Sequence, residues 1–326
     1  MQTRTLGNSN LHLTTIGIGT WAMGGGDWKF GWGPQDDKAS IAAIHTGLDQ
    51  GINWIDTAAI YGHGRAEEVV GKAVKGIRDS VVIATKCGRV WEGDSREIGK
   101  SLRAESIRRE VEASLRRLNI EVIDLYQIHW PEPEDQLEEG WGTIADLIRE
   151  GKVRYAGVSN FNLNQMERAQ AIHPVTSLQP PYNMLRREIE EDILAFCRKN
   201  KIGIVAYSPM QAGLLTGKFT AERAKELPGS DWRTRHHYFM EPQLSVNLEV
   251  VEQLKSIANA NAISLAQLAL AWVLRHNEIT SAIVGVRNAR QIEETSAAGN
   301  IRLSEPDIDR IEGILGWRDQ QLNYQK

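Results

Sequence analysis

Hydrophobic positions recur along this chain with two alternating periods. Short runs rich in β-branched and aliphatic residues lie at Ile16–Thr20, Ile52–Asp56, Val81–Lys86, Val122–His129, Arg154–Ser159, Thr176–Gln179, Gly203–Tyr207 and Ser281–Gly285. Between them apolar residues return every three or four positions, the period of a helix with one buried face. The segment Glu105 to Asn119 is an example: Ile107, Val111, Leu115 and Leu118 form one stripe. Arg108, Arg109, Arg116 and Arg117 fall largely off it and read as a solvated face. Strands alternating with helices in this way imply parallel pairing through crossover connections.

Eight such strands suit an α/β fold closed into a (β/α)8 TIM barrel, and no Gly/Ser/Pro-rich linker interrupts residues 1–326, which read as one domain. A doubly wound sheet would alternate too, but Gly17-Ile18-Gly19-Thr20-Trp21-Ala22 lacks the third glycine of a dinucleotide-binding turn. Ahead of the first strand, Arg4 to Leu13 places a Gly/Asn/Ser turn between two extended runs and predicts a β-hairpin. Two long segments, Trp21 to Pro34 and Gln211 to Pro242, are predicted to loop over the mouth of the barrel.

Composition narrows the picture. The chain is 41% hydrophobic and 25% charged, enough for a sizeable core, and its net charge of −4 comes without any long basic run. A broad surface for nucleic acid or for an anionic membrane is therefore not expected, and an anion site would have to be local. Cys87 and Cys197 are too few for a disulfide framework, the N-terminus has no signal-like apolar core, and the run Leu265 to Leu274 is too short to span a bilayer. A cytoplasmic protein is the expectation.

In a parallel barrel the chemistry gathers where the strands end. Asp56, Lys86, His129, Ser159-Asn160, Gln179 and Tyr207-Ser208 close successive runs, and Tyr61 follows the second strand closely. Singly, Asp56 is a plausible helix cap, Lys86 a snorkelling lysine and His129 a structural imidazole. Together they are an acid, a cation, an anion and an imidazole converging on one point. A phenol with a reference pKa of about 10 is a poor acid near neutrality, so Lys86 is expected to lower the Tyr61 pKa while Asp56 holds Lys86 and His129 orients a substrate oxygen. Alternation turns Cys87, next to Lys86, towards the helices. No paired His or Cys spacing suggests a metal.

These residues fall in motifs that resemble the aldo-keto reductases along nearly the whole chain. They are Gly51-Ile52-Asn53-Trp54-Ile55-Asp56-Thr57-Ala58 with Tyr61-Gly62, Lys86, and Ile123 to Pro131 with His129 inside it. The run Gly151 to Phe161, then Ala206-Tyr207-Ser208-Pro209, then Gly213-Leu214-Leu215-Thr216-Gly217-Lys218 complete the set in the same order. The resemblance implies reduction of an aldehyde or ketone, with NADPH rather than NADH, on a cofactor lying across the barrel mouth. It implies that Asp56, Tyr61, Lys86 and His129 are the catalytic tetrad. Ser159, Asn160 and Gln179 would hold the carboxamide and Tyr207 would stack on the nicotinamide. Ser208, Met210, Gly213, Leu214 and Lys218 would wrap the pyrophosphate, with Gly19, Thr20, Trp21, Pro209 and Gly285 also lining the cofactor.

The segment Ile283 to Glu294 leaves the eighth strand and opens a helix, a position suited to phosphate. There Arg287 would grip the adenosine 2′-phosphate, and Gln291 and Glu294 would contact the adenine. Ala66 stands where the family usually has serine and is expected to cost a helix cap, and Thr295 replaces an asparagine. Trp21, Trp91, Trp130 and Trp232, with Trp28 and Phe30, are candidates for an aromatic pocket taking a small carbonyl compound or sugar. Asp231, Arg233, Arg235 and His237 are polar candidates in the second long loop. The alternative is a cofactor-binding, redox-sensing subunit with little turnover, as potassium-channel β-subunits share this fold; the residues before Arg4 offer no accessory segment for such a role.

Overall fold

Eight parallel strands close into a barrel in which each strand pairs with its neighbours in chain order. They are β1 Ile16–Gly19, β2 Trp54–Asp56, β3 Val82–Cys87, β4 Ile123–Ile128, β5 Val153–Ser159, β6 Ser177–Gln179, β7 Gly203–Ala206 and β8 Ile279–Gly285. This computed structural model describes residues 1–26, 28–91, 93, 97–229 and 231–324. The helices are α1 Asp37–Asp49, α2 Arg65–Ala73, α3 Ala104–Leu118, α4 Leu137–Arg149, α5 Leu163–Ile172, α6 Ile193–Asn200, α7 Ala221–Lys225, α8 Gln243–Ala260, α9 Leu265–Val273, α10 Ala289–Ser296 and α11 Glu305–Tyr324. Among the described residues no single helix is long and apolar enough to cross a membrane.

The strands are buried on both faces, so they read as continuous apolar runs. Those side chains that point inward fill the barrel. Trp54 is fully buried among them: a Cβ on Gly17 would sit 2.0 Å from its indole, so only glycine at position 17 leaves room for the ring. The Trp54 Nε1–H then donates to the Ser281 hydroxyl at 3.0 Å and to the Thr14 carbonyl at 3.2 Å. Below it the expected hairpin, Thr3–Thr5 against His12–Thr14, packs Leu6, Leu11 and Leu13 onto Trp54, Leu125 and Val205 and plugs the bottom. Arg4 ties that plug down by donating to the carbonyls of Leu274, at 3.0 Å, and His276, at 2.9 Å, just past the end of α9, where free carbonyls favour a cation.

Some boundaries differ from the sequence pattern for identifiable reasons. Strand β2 begins at Trp54 rather than Ile52, because the Asn53 side chain accepts from Thr14 N–H and donates to the His12 carbonyl, pinning the hairpin. Helix α3 stops at Leu118, with Asn119 in the left-handed conformation that ends helices. Its arginines are not uniformly solvated: Arg108 pairs with Glu150 at the C-terminal cap of α4, while Arg117 is ion-paired at 2.7 Å to the fully buried Glu67 of α2. The residue proposed as a lost cap, Ala66, lies inside α2; Gly64, at φ 98°, occupies the cap position, so no cap is lost at 66. The segment 211–242 is not featureless, since it folds into short 3-10 turns around α7. A two-stranded ribbon, Arg89–Val90 with Gly99–Lys100, also stands above β3.

Candidate active site

At the C-terminal end of the barrel the polar strand ends meet. Strand alternation turns Asp56, Lys86, Gln127, Ser159 and Gln179 to one side of their strands, while Thr85 and Cys87 turn outward. Thr85 bonds Glu67 of α2, and the buried Cys87 lies near Glu110 of α3, as its expected orientation requires. The Lys86 ammonium is fully buried and donates to Asp56 Oδ2 at 2.7 Å and to the Thr57 carbonyl at 2.8 Å. The Tyr61 oxygen lies 3.5 Å from it. The other carboxylate oxygen, Oδ1, accepts from Gln179 Nε2 at 2.7 Å. A buried charge needs such partners, because losing water would otherwise neutralise it.

His129 follows β4 directly, its N–H bonded to the Cys87 carbonyl, and its ring meets the Tyr61 ring edge-on with centroids 5.8 Å apart. The four expected catalytic residues therefore share one buried cluster. One electrostatic expectation fails. Lys86 does not pull the phenol down: burial pushes the Tyr61 pKa well above 10, and the Asp56 charge and Tyr207 push it the same way. The Lys86 charge is spent on Asp56, and burial together with Lys86 and Arg89 drives His129 well below its usual 6.5. The site thus holds a protonated phenol and a neutral imidazole.

Around this cluster the expected cofactor residues are already bonded to one another. Ser159 donates to the Gln179 carbonyl at 2.9 Å, Asn160 Nδ2 donates to the His129 carbonyl at 3.0 Å, and the Tyr207 hydroxyl donates to Asn160 Oδ1 at 2.8 Å. Asn160, at φ 63°, and Ser208, at φ 51°, lie just past the ends of β5 and β7 in the left-handed region, a strain that tends to collect at functional sites. Thr20, following Gly19, bonds the Asp56 carbonyl through its hydroxyl at 3.0 Å. Beyond Pro209 and Met210, the residues Gln211, Ala212 and Gly213 all have positive φ, and Gly213 and Gly285 have no atom within 4 Å of where a Cβ would stand. Leu214 is buried in the core, leaving its backbone as the part able to serve a ligand.

Lys218 reaches from this loop to Glu294 on α10 at 2.8 Å, so Glu294 is engaged as an ion-pair partner. Gln291 accepts from the Arg287 N–H at 2.7 Å, and Thr295 bonds back to the Gln291 carbonyl. Arg287 extends towards Pro34 and Gln35.

The aromatic candidates divide. Trp21 stacks over Tyr61 at 6.4 Å and under Trp232 at 5.7 Å, with Trp32 edge-on to both. Trp28 lies 6.1 Å from Tyr61, and Trp91 packs beside the same cluster against His63. Trp130 stands apart, 39% exposed, with the Arg89 guanidinium over its ring. Phe30 is exposed at the edge of Trp28. In the second loop Arg233 is buried, bound to Asp231 at 2.7 Å and lying 5.0 Å over the Trp32 ring, so this pair holds the two loops together; Arg235 and His237 remain exposed. Sequence reading missed Trp32, Gln35 and Gln127. Alternation from His129 would have turned Gln127 inward, where it lies 3.4 Å from Gln179; Trp32 and Gln35 carry no comparable signal.

Comparison with known proteins fits this geometry. The profile of the aldo/keto reductase family matches residues 15–315. The aldo-keto reductase YhdN of Bacillus subtilis is 39% identical over 97% of this chain and 94% of its own length. The NADH-specific methylglyoxal reductase of Escherichia coli is 36% identical over 93% and 94%. A solved glycerol dehydrogenase from Gluconobacter oxydans superposes with a TM-score of 0.89 at 34% identity, covering 97% of this chain and 96% of that one.

Proposed function

The chain belongs to the aldo/keto reductase family, and from that membership we propose that it reduces a small aldehyde or ketone with NADPH, Tyr61 donating the proton. The observation that carries the assignment is the buried Lys86 ammonium, held by Asp56 and the Thr57 carbonyl and placed 3.5 Å from the Tyr61 oxygen.

The donor set fits a nicotinamide dinucleotide. Ser159, Asn160 and Gln179 offer amide and hydroxyl groups beside Tyr207, the open backbone at Gly213 and Gly285 admits a close approach, and Lys218 and Arg287 bring positive charge further out. When bound, the cofactor supplies hydride to the carbonyl carbon. Tyr61 gives its proton to the oxygen on which negative charge develops. Burial and the Asp56 charge make the phenolate costly, so Tyr61 keeps its proton until the substrate oxygen takes it, and the Lys86 ammonium, 3.5 Å away, is placed to donate a hydrogen bond to the phenol oxygen left behind. His129, neutral at physiological pH, donates a hydrogen bond to the same oxygen and fixes its direction. Trp21, Trp28 and Trp91 exclude water from one side. The whole chain acts as one barrel unit on this reading.

Replacing Tyr61 by phenylalanine tests the reading. Cofactor affinity should survive, since the variant removes a hydroxyl that holds no other proposed cofactor contact, while turnover with a panel of aldehydes and ketones falls by roughly 10²–10⁴-fold. Near-normal turnover would overturn the assignment of Tyr61.

A further inference from the structure

The Arg287 guanidinium is oriented by a residue far from it in sequence. Arg287 Nε donates to Gln35 Oε1 at 2.9 Å, and Nη2 on the same edge donates to the Pro34 carbonyl. The Gln35 amide completes a two-point clamp by donating from Nε2 to the Arg287 carbonyl at 2.8 Å. Gln35 is itself fixed: Nε2 also reaches the Ser40 hydroxyl at 3.0 Å, and its own carbonyl accepts from Arg65 at 2.6 Å. Asp36, the next residue, caps α1 through the Ala39 N–H. The clamp therefore stands on the start of a helix, not on a free loop.

Two features decide what the clamp does. Both acceptors on Arg287 are neutral, so its positive charge is left uncompensated by them. They also occupy only the Nε–Nη2 edge, which leaves Nη1 and the second Nη2 hydrogen, the other edge of the planar fork, to receive an anion through two parallel bonds. A free arginine side chain gives up rotamer freedom when it is fixed; here part of that loss is met before a ligand arrives.

From this geometry we infer that Gln35 is a positioning residue for the adenosine 2′-phosphate: it holds Arg287 with one edge presented, and so sets the preference for NADPH over NADH from outside the cofactor-binding motifs. The inference rests on the NADPH reading above. Gln35 touches neither the reacting atoms nor, on this account, the cofactor. Its effect falls on ligands that carry the 2′-phosphate.

Binding titrations on the full chain, read by tryptophan fluorescence, separate the possibilities, with NADP+, NAD+, adenosine 2′,5′-bisphosphate and AMP as probes. Gln35→Ala should weaken NADP+ and the bisphosphate about tenfold, the equivalent of about 1.4 kcal/mol, with NAD+ and AMP moving much less. Gln35→Glu has nearly the same shape but adds a carboxylate that pairs with Arg287 and repels the phosphate, so it should weaken the two phosphorylated probes at least as much. Arg287→Ala serves as the reference. If the parent binds NADP+ no more tightly than NAD+, the NADPH reading fails and takes the inference with it; if the parent prefers NADP+ and Arg287→Ala leaves that ratio unchanged, Arg287 does not hold the phosphate and the inference alone is overturned. If Arg287→Ala abolishes the preference but Gln35→Ala keeps it, or tightens NADP+, the role of Gln35 alone is overturned.

Discussion

At the scale of single residues, the site is a problem in burying charge. Asp56 and Lys86 are almost wholly removed from water, and each is tolerated because the other is 2.7 Å away and because Thr57 and Gln179 take the remaining bonds. Lys86→Met should therefore cost stability as well as activity: it leaves the Asp56 carboxylate buried without its cation, a loss of about 3–5 kcal/mol in urea unfolding. The double variant Lys86→Met/Asp56→Leu should recover most of that stability and none of the turnover, since no charge is then left unpaired. Equal stability of the single and double variants would show that the pair is not what holds this part of the barrel together. The same burial keeps Tyr61 protonated and His129 neutral. Reading Lys86 as a pKa-lowering neighbour overlooked that its charge was already committed to Asp56.

At the scale of elements, the loop after β3 is braced from behind by α3. The Gly88 N–H donates to Glu110 Oε2 at 2.8 Å, two residues beyond Lys86. Burial raises the Glu110 pKa to about 7, and the Glu67 charge adds to it against the lowering by Gly88, Ser106 and Arg117. A carboxyl group that holds its proton more tightly when folded stabilises the fold fully below its ordinary pKa of 4.5, and that contribution is lost as pH rises through about 7. The total is about 3 kcal/mol over this window. Glu110→Gln, which titrates in neither state, should gain melting temperature relative to the parent between pH 5 and pH 8. A difference in melting temperature that stays flat with pH would mean that Glu110 ionises normally in the fold.

At the scale of the molecule, the two ends of the barrel do different work. The mouth carries strained backbone and buried charge, whereas the bottom is sealed by the hairpin residues Leu6, Leu11 and Leu13 against Trp54. Stability and chemistry should therefore be separable. Leu13→Ala, at a fully buried position, is expected to cost about 2–5 kcal/mol while leaving kcat near that of the parent well below the melting temperature. A drop in kcat with no loss of stability would mean that the plug communicates with the mouth. The two long loops also meet at this scale, through Trp21, Trp32 and Trp232 and the Arg233 guanidinium over Trp32. Their packing closes one side of the space beside Tyr61.

Periodicity and strand-end chemistry were enough, from the amino acids alone, to determine the order of the eight strands, the hairpin ahead of them, and the convergence of Asp56, Tyr61, Lys86 and His129. Those features are local: alternation decides which way a side chain points, and parallel strands in chain order bring their ends together. What the tertiary structure alone decided depends on contacts between distant segments. Burial and the Asp56 charge overrule Lys86 at the Tyr61 phenol. Gly64, not residue 66, stands at the start of α2, and Trp130 lies away from the other tryptophans. Gln35 meets Arg287 only because closure sets β8 beside β1, so that the loops leaving these two strands become neighbours. Short-range pattern fixes direction and order, but charge balance and loop contacts are sums over partners far apart in the chain.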